Sequence, residues 1–191
     1  DRAITIEEAN SIDTTLDLVE GFRFESGFAA SAFITDERRG VTRHEDVMLM
    51  VSDDRIEHVD QILPALEIAA RETKPLMIVA DDIQGQALAA LIMNTVRGSM
   101  KVIAVKAPGY GEARRNIMSD LAVATGGKYF RKSSGDNIKN ISLNDFGTAR
   151  TIEVSKGLTT IVDGGGSMES VTERIDLLKE DLMSNDSLYE C

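Results

Sequence analysis

Two pairs of aspartates stand where a parallel-sheet enzyme would hold a metal ion. Asp53-Asp54 and Asp81-Asp82 each follow an apolar run that suits a buried strand. Carboxylates at the carboxyl end of such strands can bind magnesium for phosphoryl chemistry. The same residues also suit plain loop solvation, or the N-terminal end of a helix where acidic side chains favour the dipole. A magnesium-dependent phosphoryl-transfer domain built on Asp53, Asp81 and Asp82 is therefore the enzyme reading to test. It lacks support elsewhere in the chain. No GxxxxGK[ST] loop is present to cradle a nucleotide. Gly109-Tyr110-Gly111 opens a helix but lacks the third glycine of the dinucleotide fingerprint, and reads as a tight strand-to-helix turn. His44 and His58 have no second ligand at metal spacing and are expected at the surface. The only cysteine is Cys191, and there is no serine elbow, so no nucleophilic constellation can be assembled.

The elements that would position these residues alternate in type. Strands are expected at 47–51, Leu76–Ala80, 102–105 and 128–131. Helices are expected at 62–71, Gly85–Arg97 and 112–125, the last two stopped by Gly98 and by Gly126-Gly127. Pro64 is tolerable only in the first turn of its helix. Segments 150–154 and 158–162 flank Lys156-Gly157 as a hairpin. The βαβα order predicts an α/β fold, a mainly parallel sheet covered by helices, with a β-rich base.

Two of these helices carry more apolar residues than one face needs. Between Gln86 and Val96, eight of eleven residues are apolar. Leu88, Ile92 and Val96 share one side, and Ala87, Ala90 and Leu91 lie largely on the other. In the helix at 62–71, Ile62, Ala65 and Ala69 can face the sheet while Leu63, Leu66 and Ala70 point elsewhere. Two such helices side by side would leave an apolar groove, either covered by another part of the chain or open to extended or helical apolar segments. Phe22, Phe24, Phe28 and Phe33 cluster among small residues, which suits core packing or an adaptable contact loop.

The net charge of −11 argues against nucleic acid or an anionic membrane as the main partner. With no tryptophan and 5% aromatics, a base-stacking surface is not expected. No window is long and apolar enough to span a bilayer. The lone cysteine fits a reducing compartment. Toward the end, 170–183 reads as a helix with a capping box (Ser170 and Glu173) and a thin apolar stripe that needs a covering element. Gly164, Gly165 and Gly166 separate it from the body and read as a hinge that permits unusual backbone angles. A chain that starts at Asp1 and stops at Cys191 just after this helix reads as a piece of a longer subunit.

The stretch 74–127, KPLMIVADDIQGQALAALIMNTVRGSMKVIAVKAPGYGEARRNIMSDLAVATGG, resembles the apical domain of GroEL-type (group I) chaperonins. EGFRFESGF at 20–28, ILPALEIAA at 62–70, TTIVDG at 159–164 and AITIEEA at 3–9 fit the same pattern, with KAPGYG and MNTVRG the most specific pieces. The resemblance implies a GroEL apical-domain-like fold. Residues 20–154 would be the polypeptide-binding domain, 1–19 one flank of an intermediate domain, and 155–191 a hairpin, hinge and second flank. Gly21 and Gly164 to Gly166 would be hinge points.

By position, the resemblance implies a site for unfolded polypeptides and for a GroES-like co-chaperonin loop. Its residues would be Phe28, Ala32 and Phe33 from the upstream segment, Leu63 and Leu66 from the first helix, and Leu88, Ile92, Met93 and Asn94 from the second. It implies a ring of identical or homologous subunits, and a cytoplasmic, organelle-matrix or stromal setting. ATP and magnesium would belong to the full-length parent, with no cofactor in this chain and no catalysis by it. Ala32 departs from the family's larger aromatic residue, and Ala29-Ala30-Ser31 is plainer than usual. The short, charge-rich segment after Ile34 argues for a separate co-chaperonin rather than the built-in lid of group II chaperonins.

Overall fold

A computed structural model describes residues 21–166. The helix expected at 170–183, the flank at 3–9 and the cysteine at 191 lie outside the described residues. The strands are β1 (Gly21–Phe24), β2 (Thr42–Ser52), β3 (Arg55–Ile56), β4 (Leu76–Ala80), β5 (Asp82–Ile83), β6 (Val102–Lys106), β7 (Tyr129–Phe130), β8 (Gly147–Val154) and β9 (Thr159–Gly164). The helices are α1 (Val59–Glu72), α2 (Gly85–Arg97) and α3 (Gly111–Thr125).

The main sheet has the order β1-β9-β8-β2-β4-β6, with β7 also on β2, while β3 and β5 pair separately. It is mixed rather than mainly parallel. β2, β4, β6 and β7 run parallel, whereas β8, β9 and β1 join antiparallel. The physical reason lies in β2, which is eleven residues long rather than five. Its apolar second half pairs with β4 through Met48 to Val51, and its first half pairs with β8 from Thr42 onward. That first half alternates Thr42 in, Arg43 out, His44 in and Glu45 out. Such a polar-looking strand belongs to a half-solvated antiparallel sheet and escapes a search for apolar runs. His44 is consequently buried, contrary to the surface position expected for it; His58 is exposed. Asp46 and Asp163 take left-handed backbone conformations opposite Arg150 on the two strands that flank it, and the register resumes unshifted beyond each. Aspartate tolerates this conformation better than most residues.

β4 and β6 are buried end to end apart from Lys106, so helices must cover both faces. The β2–α1–β4 and β4–α2–β6 crossovers progress in one direction across the sheet. Right-handed connections therefore put α1 and α2 side by side on one face, where they touch each other. α3 returns from β6 toward β7 and packs on the other side against β2, β8 and β9.

Local chemistry sets the helix ends. The Gln61 side chain accepts from the backbone N–H groups of Glu57 and His58, both at 2.9 Å, and starts α1 at Val59. Pro64 consequently lies in the second turn, not the first, where the carbonyl it fails to serve is that of exposed Asp60. Gly98 and Gly126 close α2 and α3 in the left-handed conformation.

The glycines at 164–166 are present for space. None has a positive φ. A Cβ on Gly164 would sit 2.2 Å from the Ala124 carbonyl oxygen, and one on Gly166 would sit 2.0 Å from that of Val123. Substitution of Gly164 by alanine should cost about 1–3 kcal/mol, because backbone must move to admit the methyl group. Gly157→Ala, at a site with nothing within 4 Å, should stay within about 0.5 kcal/mol. Urea denaturation of the two variants checks the contrast.

Burial, and then Lys101, holds the His44 pKa below its usual 6.5. As pH falls through that value the unfolded chain takes up a proton that the folded chain refuses. Folding stability should therefore drop between about pH 7 and pH 5. Denaturation midpoints measured across that range should show a shallower drop in His44→Gln.

Candidate functional site

Helices α1 and α2 differ from α3 in how their apolar residues are disposed. On α1, Ile62, Ala65 and Ala69 are sealed against the sheet, as the spacing predicts, and Leu63 is 46% exposed. On α2, Ala87 and Leu91 are fully buried. Leu88 and Ile92 are half-buried, Met93 is 50% exposed and Val96 is 73% exposed. Burying Ala87 and Leu91 uses up the sheet-facing side, so residues one position on must turn toward the rim or outward. The two helices thus share an open, partly apolar face. At its far end a cleft separates Ala70, Thr73 and Lys74 from Gly98, Ser99 and Met100.

The upstream segment reaches this face through the sheet edge. Phe28 bridges antiparallel to Val105, Ala29 N–H donates to the Ala104 carbonyl at 2.8 Å, and Lys106 N–H donates to that of Gly27 at 3.3 Å. The segment also lies against the turn after β8, where the Phe28 N–H donates to the Ser155 carbonyl at 3.2 Å. That close approach requires Gly27, where a Cβ would lie 1.8 Å from the same oxygen. A 3-10 turn at Ser31–Phe33 then packs against α2. Phe28 is half-buried and Ala32 is exposed.

Two of the nine residues carried over from the resemblance lie beneath the surface. Phe33 is fully buried and Leu66 is 7% exposed. Phe33 points inward because its segment is tied down: the Thr42 hydroxyl donates to its carbonyl at 2.7 Å. Leu66 follows Ala65 onto the buried side because α1 offers the core a stripe wider than one residue row. Asn94 sits at the end of α2, where its side-chain oxygen accepts from the Ser99 hydroxyl at 3.1 Å. Val96 was not among the carried-over positions. The i, i+4, i+8 series Leu88, Ile92, Val96 was the signal for it.

Asp53 and Asp81 lie near enough for their charges to act on Asp54 and Tyr129, yet each is taken up by a partner within the scaffold. Asp53 accepts from the Lys132 backbone N–H at 3.1 Å. Asp81 pairs with Arg114 at 3.4 Å, and Asp82 pairs with Lys106 at 3.3 Å. Burial raises the carboxyl pKa values of Asp54 and Asp81. Burial, reinforced by the charges of Asp81 and Asp53, pushes the Tyr129 hydroxyl up to about 12. Among the described residues, no group of three His, Cys, Asp or Glu side chains is arranged to hold a metal ion. None of the described helices is long and apolar enough to cross a membrane.

The termini of the described body lie together. Gly21 on β1 pairs with Val162 on β9, two residues before Gly164. Both candidate hinge points thus share one edge of the antiparallel half.

No family model matches the chain. Over 187 residues, 98% of its length, it is 40% identical to the chaperonin GroEL of Methanoregula boonei (strain DSM 21154 / JCM 14090 / 6A8). The chain spans 35% of the length of that curated relative. Along the residues that the two share, this chain is similar to a GroEL-type chaperonin.

Proposed function

We propose that this chain is the polypeptide-binding, apical part of a chaperonin subunit, and that the α1–α2 face is where unfolded chains dock. The observation that carries this reading is the exposure of Leu63, Met93 and Val96 on two adjoining helices, above a row of half-buried Leu88 and Ile92. Such a face has little directional chemistry, so it selects exposed apolar segments rather than a sequence. Phe28 and Ala32 extend it along the sheet edge. Phe33 and Leu66 support it from below. Asn94 forms its polar end.

Burying one large side chain contributes about 1.5–3 kcal/mol, so a few anchors give modest affinity. Several such faces in a ring of like subunits would raise avidity by about 10²–10⁴. A GroES-like co-chaperonin loop would compete for the same apolar positions. Residues 20–154 form the binding domain in this reading, with 1–19 and 155–191 leading to an intermediate domain through Gly21 and Gly164 to Gly166. The pairing of β1 with β9 supports it, since both connections leave from one edge. The ATP and magnesium of the parent lie outside this chain, which has no catalytic role. The setting is cytoplasmic, or the matrix or stroma of an organelle.

Leu88→Glu or Ile92→Glu should weaken binding of a fluorescent, reduced and carboxymethylated polypeptide about tenfold or more, with circular dichroism unchanged. Unaltered affinity in both folded variants would refute the site.

Stability and binding should separate by depth. Phe33→Ala should cost about 3–5 kcal/mol and Leu66→Ala about 2–5 kcal/mol of folding stability. Leu63→Ala and Met93→Ala should cost under about 1 kcal/mol yet weaken polypeptide binding. Paired urea melts and fluorescence titrations read both quantities.

A further inference from the structure

The chain has eight methionines, and the described ones fall into distinct environments. Met48, Met50, Met77 and Met118 are at most 2% exposed. Met100 is half-buried at the end of the cleft. Met93, on α2 next to Ile92, is 50% exposed. Thioether oxidation follows access. A dilute oxidant therefore meets Met93 while the core methionines stay shielded and the fold survives.

We propose that Met93 is an oxidative modification site through which peroxide lowers the affinity of the α1–α2 face for apolar chains. This rests on the docking reading above. The sulfur lone pair attacks one peroxide oxygen, the O–O bond breaks, a sulfoxide forms and water leaves. The thioether is oxidised by two electrons and the peroxide is reduced. A flexible, polarisable apolar group becomes a strong dipole that cannot be buried against a client's apolar side chain without losing its water. A methionine sulfoxide reductase reverses the step, its dithiol electron donor taking the oxygen away as water and becoming a disulfide. Leucine or valine at this position has no thioether and could not respond.

The test exposes the 191-residue chain to dilute hydrogen peroxide and follows each methionine by peptide mass spectrometry. Binding of the fluorescent carboxymethylated polypeptide is then titrated. Met93 should convert before Met48, Met50, Met77 and Met118, and affinity should fall about three- to tenfold with circular dichroism unchanged. Met93→Leu, whatever its starting affinity, should lose none of it on peroxide treatment, and Met93→Gln should bind weakly before it. Full conversion of Met93 with undiminished affinity, or an equal loss in Met93→Leu, overturns the proposal while leaving the docking face intact. An untreated wild-type chain that fails to bind overturns the docking reading itself, and the modification proposal falls with it.

Discussion

A helix can turn only one side toward a sheet, and α2 carries more apolar residues than that side can take. Its position is forced by β4 and β6, which are buried on both faces and must be covered. Ala87 and Leu91 meet that demand and are completely sealed. Leu88, Ile92, Met93 and Val96 are left at the rim or in water, and α1, lying alongside, adds Leu63. A helix in a closed small domain would carry charges on that outer side. Leu88 and Ile92 still pack in part against the core, whereas Leu63, Met93 and Val96 stand open, and that exposed remainder is what makes the surplus informative.

The polar residues follow the opposite rule. The aspartates after β2 and β4 look like an active-site constellation in one dimension. In three dimensions each of Asp53, Asp81 and Asp82 is tied to a different donor: a backbone N–H, Arg114 and Lys106. These pairings hold the strand ends to α3 and to the loop after β7. The charged segment after Ile34 behaves similarly, with Arg39 and Arg43 both on Glu153 of β8 at 2.8 and 3.4 Å. Such half-exposed pairs contribute little stability each, but they position a loop. Charge here organises the scaffold, and the open face is left to apolar groups.

Sheet topology explains how one body can present that face and still be entered and left at one place. The parallel half builds the two-helix surface. The antiparallel half brings β1 beside β9, so that Gly21 and Gly164 sit near each other. Close packing of 164–166 on the last turn of α3 adds a constraint absent from a free linker, because the glycines there admit neighbouring backbone at distances no side chain would allow.

Periodicity and end signals alone made much of this legible. The strands at β4 and β6, the span of α2 and the left-handed glycine stops follow from apolar runs and local backbone sterics, which act within a few residues. The surplus on α1 and α2 was likewise visible, because it is a matter of composition per turn. Three features were decided only by tertiary structure. The first half of β2 earned its strand from β8, a hundred residues away, since a half-solvated ladder needs its mate before its alternating pattern means anything. Phe33 and Leu66 went inward because the Thr42 hydrogen bond and the packing of α1 choose which apolar residues are hidden, and spacing cannot rank apolar residues by depth. The aspartates found separate donors because such pairing depends on distance in space, which sequence order does not contain.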